Sequence, residues 1–292
     1  MSATSEFPRP EPLVSTEWLA ARLDDPNLRI LDCGMHLDPD PVDTYQVRSG
    51  AEDWRAGHIP GSVHADLQRD LSDTASEFRF TWPDPNHFAK AMGALGVGDG
   101  AQVVLYAPDN HNWPCRLWWM LRAHGFEAAH VLDGGLKKWK AEGRPVSTEE
   151  TRYPAASFTA HPRDGMVATR QDVLAAIDDD ATLILNALTP EQHAGGGAVY
   201  GRGGRISGSS NVSSRSLTDP ETGAFLDPSE IRQRFEAVGA LSSPKVIPYC
   251  GGGIAASTTC LLLHMLGQDA IALYDNSLSE WAKNADLPME TG

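Results

Sequence analysis

A cysteine followed by three glycines, Cys250-Gly-Gly-Gly253, stands between the short apolar run Val246-Ile-Pro-Tyr249 and a helical pattern carried by Ile254, Thr258, Leu261, Leu262 and Met265. That spacing sets a thiol at the carboxyl end of a strand and against the first turn of a helix. Unpaired N–H groups and the helix dipole stabilise an anion at such a point, so the thiolate is favoured. Gly251, Gly252 and Gly253 carry no side chains to keep backbone N–H groups from turning toward one centre. The chemistry this loop can do is nucleophilic, with a thiolate attacking an electrophilic atom and backbone dipoles holding the charge. On these residues alone a second reading stays open: Cys250 is a small buried hydrophobe and the glycines make a turn.

The elements that must position the loop occur twice. Gly125 to Trp139 and Gly267 to Trp281 have the same spacing, with Val131 and Leu273, Asp133 and Asp275, Leu136 and Leu278 in register. Upstream, Tyr106 answers Tyr249, His58-Ile-Pro-Gly61 answers Arg205-Ile-Ser-Gly208, and Asp32 answers Asn186. A repeat of this length makes the chain two copies of one unit. At the place of Cys250 the first copy has Ala107, so the fold does not require the cysteine.

Each copy alternates short apolar runs such as LRILD, VVLY, TLILN and VIPY with helical patterns such as LWWMLRAHG and TCLLLHMLG. Alternation of this kind predicts an α/β fold in which each copy is a parallel sheet with helices on both faces. We read residues 12–142 as the first domain, 143–167 as a proline-containing linker and 168–290 as the second domain. The N-terminal dozen residues, rich in Pro and Ser, read as mobile.

With 292 residues the chain has length for two domains, taking about 150 as an ordinary domain. Its net charge of −15 works against a nucleic acid or an anionic membrane as partner. The start of the chain lacks a basic region followed by an apolar run, and nowhere does an apolar stretch approach a membrane span, so we expect a cytoplasmic protein. Cys33, Cys115, Cys250 and Cys260 are too few and too irregularly spaced for a disulfide framework or a paired metal site. Of these, Cys33, Cys115 and Cys260 read as packing residues.

Taken together, Trp54-Arg-Ala-Gly-His58-Ile-Pro-Gly-Ser-Val63, Arg116-Leu-Trp-Trp-Met-Leu-Arg122, Val131-Leu-Asp-Gly-Gly-Leu-Lys-Lys-Trp139 and the loop from Cys250 to Ala255 resemble the tandem-domain rhodanese-like sulfurtransferases. The resemblance covers nearly the whole chain. It implies a non-catalytic first domain and a catalytic second one, with two-step transfer through a Cys250 persulfide. It further implies a small anionic sulfur donor, thiosulfate or 3-mercaptopyruvate. The acceptors it implies are cyanide, a small thiol or a protein dithiol of thioredoxin type, and it calls for neither metal nor organic cofactor. The loop residues Gly251, Gly252, Gly253, Ile254 and Ala255 then bind the sulfur, and His58 and Asn186 are supporting residues. Lacking a loop serine to complete a proton relay, His58 reads as structural.

Two departures stand out. The loop has neither the basic residues of the thiosulfate type nor the full Gly-Ser-Gly-Val-Thr of the mercaptopyruvate type, because Gly252 and Ala255 stand where Ser and Thr would be. Its first glycine leans toward the mercaptopyruvate type. Leu188 and Gln192 replace the two arginines that grip the donor in the family, and Arg202 and Arg205 are the candidates to supply that charge. These departures give weight to an alternative, a catalytically weak sulfur-carrier or regulatory module. A cysteine phosphatase of the same fold is disfavoured, since Ala256 stands where its arginine would be.

Overall fold

The computed structural model describes residues 6–40, 45–197 and 199–292. Its contacts divide the chain into two units, one of residues 11–163 with 219–225, the other of residues 1–10, 164–218 and 226–292. Neither unit is a single stretch of chain.

In the first unit β1 (Leu13–Val14), α1 (Thr16–Ala20) and β2 (Leu28–Asp32) are followed by the hairpin β3 (Met35–Pro39) and β4 (Tyr45–Ser49). Then come α2 (Ala51–Ala56), β5 (Ser62–His64), α3 (Pro85–Ala94), β6 (Gln102–Tyr106), α4 (Asn112–Ala123), β7 (Ala129–Leu132) and α5 (Gly135–Ala141). Five strands form one all-parallel sheet in the order β1-β7-β6-β2-β5. Strand residues alternate between faces, which is why the runs are apolar throughout. Ile30, Val104 and Tyr106 face a core with Leu19 of α1 and Leu136 and Trp139 of α5. Val103 and Leu105 point the other way, where α4 packs on β6 and β7.

The segment read as a linker lies along this unit. Ser147 pairs with His58, the Tyr153 hydroxyl donates to Gly61 O at 2.6 Å, and Arg163 N–H donates to Ala123 O at 2.8 Å. The stretch 219–225 closes the same unit from far along the chain. Phe225 N–H donates to Asp133 Oδ1 at 2.9 Å, its ring lies 4.2 Å from the His111 ring, and Lys137 reaches Pro220 O.

The second unit runs β8 (Val167–Ala168), α6 (Arg170–Ala176), β9 (Thr182–Asn186), α7 (Pro190–Ala194), β10 (Arg205–Ile206) and β11 (Ser210–Asn211). It continues with a 3-10 turn (Ser214–Leu217), α8 (Pro228–Glu236), β12 (Lys245–Tyr249), α9 (Ile254–Met265), β13 (Leu273–Tyr274), α10 (Ser277–Trp281) and β14 (Met289–Glu290). Strands β11, β9 and β12 are parallel, with Tyr249 opposite Asn186 and Asn186 opposite Asn211. Strand β13 pairs with β8, and Ile271 bridges to Val246. Val173 of α6 and Leu278 and Trp281 of α10 share a core with Ile184, Ile247 and Tyr249. The first five of the N-terminal residues read as mobile lie outside the described residues. Arg9 is not loose: its N–H donates to Met265 O at 3.1 Å and its guanidinium to Asp269 at 2.7 Å. Among the described residues no helix is long and apolar enough to cross a membrane.

Candidate active site

Strand β12 ends under Cys250, and the strand end is fixed by the residue before it. The buried Tyr249 hydroxyl accepts from Ile206 N–H at 3.0 Å and from Asn186 Nδ2 at 2.9 Å, and it shares a hydrogen bond of 2.8 Å with Ser209. Burial pushes that phenol up to about 12, so it stays neutral and serves as a hub. Asn186 adds an Asx turn by accepting Leu188 N–H at 2.8 Å.

Between Tyr249 and α9 the chain makes a tight loop of four residues, of which Gly253 has φ 75° and caps the helix. Ser277 braces this loop from α10. Its Oγ accepts Cys250 N–H at 3.0 Å and Gly253 N–H at 3.3 Å and donates to Tyr274 O at 2.7 Å, which uses the full capacity of a hydroxyl. Ser277 holds this position at φ 50°, where a side chain is strained by roughly 1 kcal/mol or more. Further braces run from Leu278 N–H to Cys250 O at 3.1 Å and from Ser279 N–H and Oγ to Gly251 O at 2.8 and 2.7 Å.

Cys250 is therefore held almost fully buried, at 2% exposure, with its own carbonyl and that of Gly251 already engaged. Two of the N–H groups expected around its sulfur, those of Cys250 and Gly253, are bound to Ser277 instead. Among the described residues no protein acceptor takes the N–H groups of Gly251, Gly252, Ile254 or Ala255. The last two belong to the first turn of α9, where a helix leaves its donors unpaired. The arrangement provides a buried sulfur followed by backbone dipoles able to stabilise negative charge.

Tyr200 is the neighbour that sequence reasoning missed. A Cβ built on Gly251 would fall onto Cζ, Oη and Cε1 of Tyr200, so the glycine is there because the phenol covers it. No motif marks this tyrosine; the only trace is the glycine-rich stretch around it. Ser277 is equally unmarked, although it replaces Gly135 of the first copy in the repeat.

The remaining expected residues lie elsewhere. The Arg202 guanidinium donates to the carbonyls of Trp281, Ala282, Asn284 and Leu287 at 2.6–3.3 Å. Arg205 donates to Gly292 O at 2.6 Å and pairs with Glu290 at 3.4 Å across β10 and β14. Both expectations of an anion grip thus meet side chains committed to backbone and carboxylate partners. Gln192 closes a capping box with Thr189 at the start of α7, and Leu188 packs on the core. His58 has both ring nitrogens against backbone carbonyls, Trp54 O at 2.6 Å and Glu149 O at 3.1 Å, and stacks on Trp54. Cys33, Cys115 and Cys260 are buried and in no disulfide, and burial pushes the Cys33 thiol well up.

Two parallel-sheet units, one carrying a cysteine loop at a strand's carboxyl end, define a class that comparison with known proteins makes explicit. The rhodanese-like domain family matches residues 15–142 and again residues 169–284. The 3-mercaptopyruvate sulfurtransferase of Escherichia coli K12 is 32% identical over 285 residues, covering 95% of this chain and 97% of its own. The sulfur carrier protein TtuD of Thermus thermophilus is 29% identical over 301 residues, 98% of this chain and 99% of its own. The crystal structure of SseA from Escherichia coli, described as a 3-mercaptopyruvate sulfotransferase with the rhodanese fold, superposes with a TM-score of 0.81 at 30% identity, over 91% of this chain and 98% of that one. The chain belongs to the rhodanese family, as a tandem sulfurtransferase.

Proposed function

We propose that the protein moves a sulfane sulfur from a small anionic donor, 3-mercaptopyruvate or thiosulfate, through a persulfide on Cys250 to a thiophilic acceptor. The observation that carries this reading is the braced, buried Cys250 followed by loop N–H groups that no protein atom accepts among the described residues. The thiolate attacks the donor sulfur, a new S–S bond forms at Cys250, and the donor's old bond to that sulfur breaks with its electron pair on the leaving group. Cyanide, a small thiol or a protein dithiol of thioredoxin type then takes the outer sulfur and releases the Cys250 thiolate. The catalytic domain is the second one, residues 168–290, and the first, residues 12–142, is non-catalytic. Four cysteines outside any disulfide suit a reducing cytoplasm.

A donor panel read by intact mass tests this. Either donor adds one sulfur to the wild-type chain and none to Cys250→Ser, and wild-type protein without added sulfur refutes the reading. The commitments of Arg202, Arg205 and Gln192 favour a second reading, a sulfur carrier loaded by another persulfide protein. It predicts a Cys250 persulfide from a pre-loaded protein and from neither small donor.

A further inference from the structure

The two copies differ at a second pair of sheet positions. At the carboxyl ends of β9 and β11, Asn186 stands opposite Asn211, whose Nδ2 donates to Asn186 O and Leu188 O. At the carboxyl ends of β2 and β5 the facing residues are Asp32 and His64. Two amides, which do not titrate, serve the fold in one copy, so the sheet does not require an acid–base pair in the other. Parallel sheets bind their ligands at this end of the strands.

His64 lies between Asp32 and a hydroxyl. Its side chain is 8% exposed and that of Asp32 1%, and its Nδ1 stands 3.7 Å from Asp32 Oδ1 with no hydrogen-bond partner among the described residues. Its Nε2 is 3.0 Å from Ser49 Oγ. Gly34 N–H donates to Asp32 Oδ1 at 2.8 Å and fixes the carboxylate. A carboxylate facing Nδ1 favours the tautomer with the proton there, which leaves Nε2 to accept. Ser49 Oγ accepts Ala51 N–H at 3.3 Å, so its own proton is directed to Nε2. At 3.7 Å the contact between His64 and Asp32 is long for a hydrogen bond; contacts of this kind tighten when substrate binds. Ser49 ends β4 and Gly50 caps α2, so the half-buried hydroxyl sits on a strand-to-helix turn. Its face of the hairpin is shared by Met35, Leu37 and Val47, of which Leu37 is 41% exposed.

We propose that Ser49, His64 and Asp32 form a second reactive centre, a hydrolase site for carboxylic esters with an apolar acyl group, in the unit that lacks the cysteine loop. Ser49 is the nucleophile, His64 the general base and acid, and Asp32 the positioning residue. Ser49 Oγ attacks the carbonyl carbon as its proton passes to His64 Nε2, and the ester C–O bond breaks with its electron pair on the alcohol oxygen, which takes that proton. Water then gives a proton to Nε2 and attacks the acyl-serine, the acid departs, and the proton returns to Ser49 Oγ. Ester and water become acid and alcohol, and no other reactant is needed. Leu37 and Val47 supply the apolar surface for the acyl chain.

The test uses the full chain with Cys250→Ala, which removes the competing thiol, a nitrophenyl butyrate as substrate and a fluorophosphonate as probe. We expect a phosphonate adduct on the peptide that contains Ser49, and ester turnover that is lost on labelling. His64→Gln, which keeps a polar side chain but no base, slows both by roughly 10²-fold or more. Asp32→Asn keeps the shape and lowers kcat roughly tenfold or more while KM stays within about twofold, a split that loosened packing alone would not give. An adduct absent from Ser49 in the folded chain, or formed as fast in His64→Gln, overturns the proposal, and an unchanged kcat in Asp32→Asn removes Asp32 from it. None of these outcomes bears on the Cys250 persulfide, which intact mass reads separately in the wild-type chain.

Discussion

The loop after β6 and the loop after β12 are the same construction put to different ends. In both, the carbonyl of the first loop residue accepts an N–H from the facing helix, Leu136 to Ala107 and Leu278 to Cys250, each at 3.1 Å. In both, a residue at that helix's start lies at positive φ, Gly135 at 55° and Ser277 at 50°. The first unit relieves the strain with glycine, whereas the second keeps a serine there and uses its hydroxyl to hold two loop N–H groups. The first loop is filled from inside: His111 Nε2 accepts Gly134 N–H at 3.2 Å, and burial pushes that imidazole down to about 4. The second is lined with glycines and covered by a phenol. Strain and missing side chains therefore mark the loop proposed to do chemistry, and a side-chain plug marks its counterpart.

The largest effect expected is at the cysteine. Cys250→Ser removes all added sulfur mass, whereas introducing a thiol by Ala107→Cys gains none, because its loop lacks the glycines and carries the His111 plug. A persulfide on that introduced thiol would reduce the contrast to the presence of a cysteine. Next, Ser277→Ala leaves two loop N–H groups without their acceptor, which costs about 1–3 kcal/mol in chemical denaturation and slows persulfide formation roughly tenfold or more. Ser277→Gly relieves the strain while losing the same hydrogen bonds, so it is the more stable of the two but no faster.

The first loop has a pH signature of its own. The folded state holds His111 near 4 against an ordinary 6.5, so the unfolded chain binds this proton first as pH falls. Stability from this residue is fully present above 6.5 and is lost as pH drops toward about 4, by up to about 3 kcal/mol. Denaturation midpoints at pH 7 and 4.5 compare wild type with His111→Gln, and an equal drop in both removes His111 as the cause. The smallest effect is at Arg205→Ala. Donor KM shifts by no more than about twofold, the scale of a solvated ion pair, in steady-state assays.

The duplication, the alternating elements and the cysteine loop were legible because each is written in local spacing: apolar runs, paired tryptophans and glycines. The brace and the cover were not. Ser277 follows Cys250 by a whole helix and a strand, and Tyr200 arrives on a glycine-rich strap before β10, so only the folded chain brings them to the loop. Arg202 shows the converse case. Its type suited an anion grip, but the carbonyls at the end of α10 lie within reach, and a guanidinium with five donors satisfies several at once.

The seven residues 219–225 that complete the first unit have a consequence for synthesis. Domains generally fold in order as the chain emerges, the N-terminal one first. In this chain His111 receives Phe225, and Asp133 its partner N–H, only after the strands β8 to β11 of the other unit have already been made. Arg9 waits longer still, since it binds Met265 and Asp269 near the end. The two units thus close in an interleaved order, and a ribosome stalled between residues 164 and 218 would carry a first unit whose plug stands uncovered.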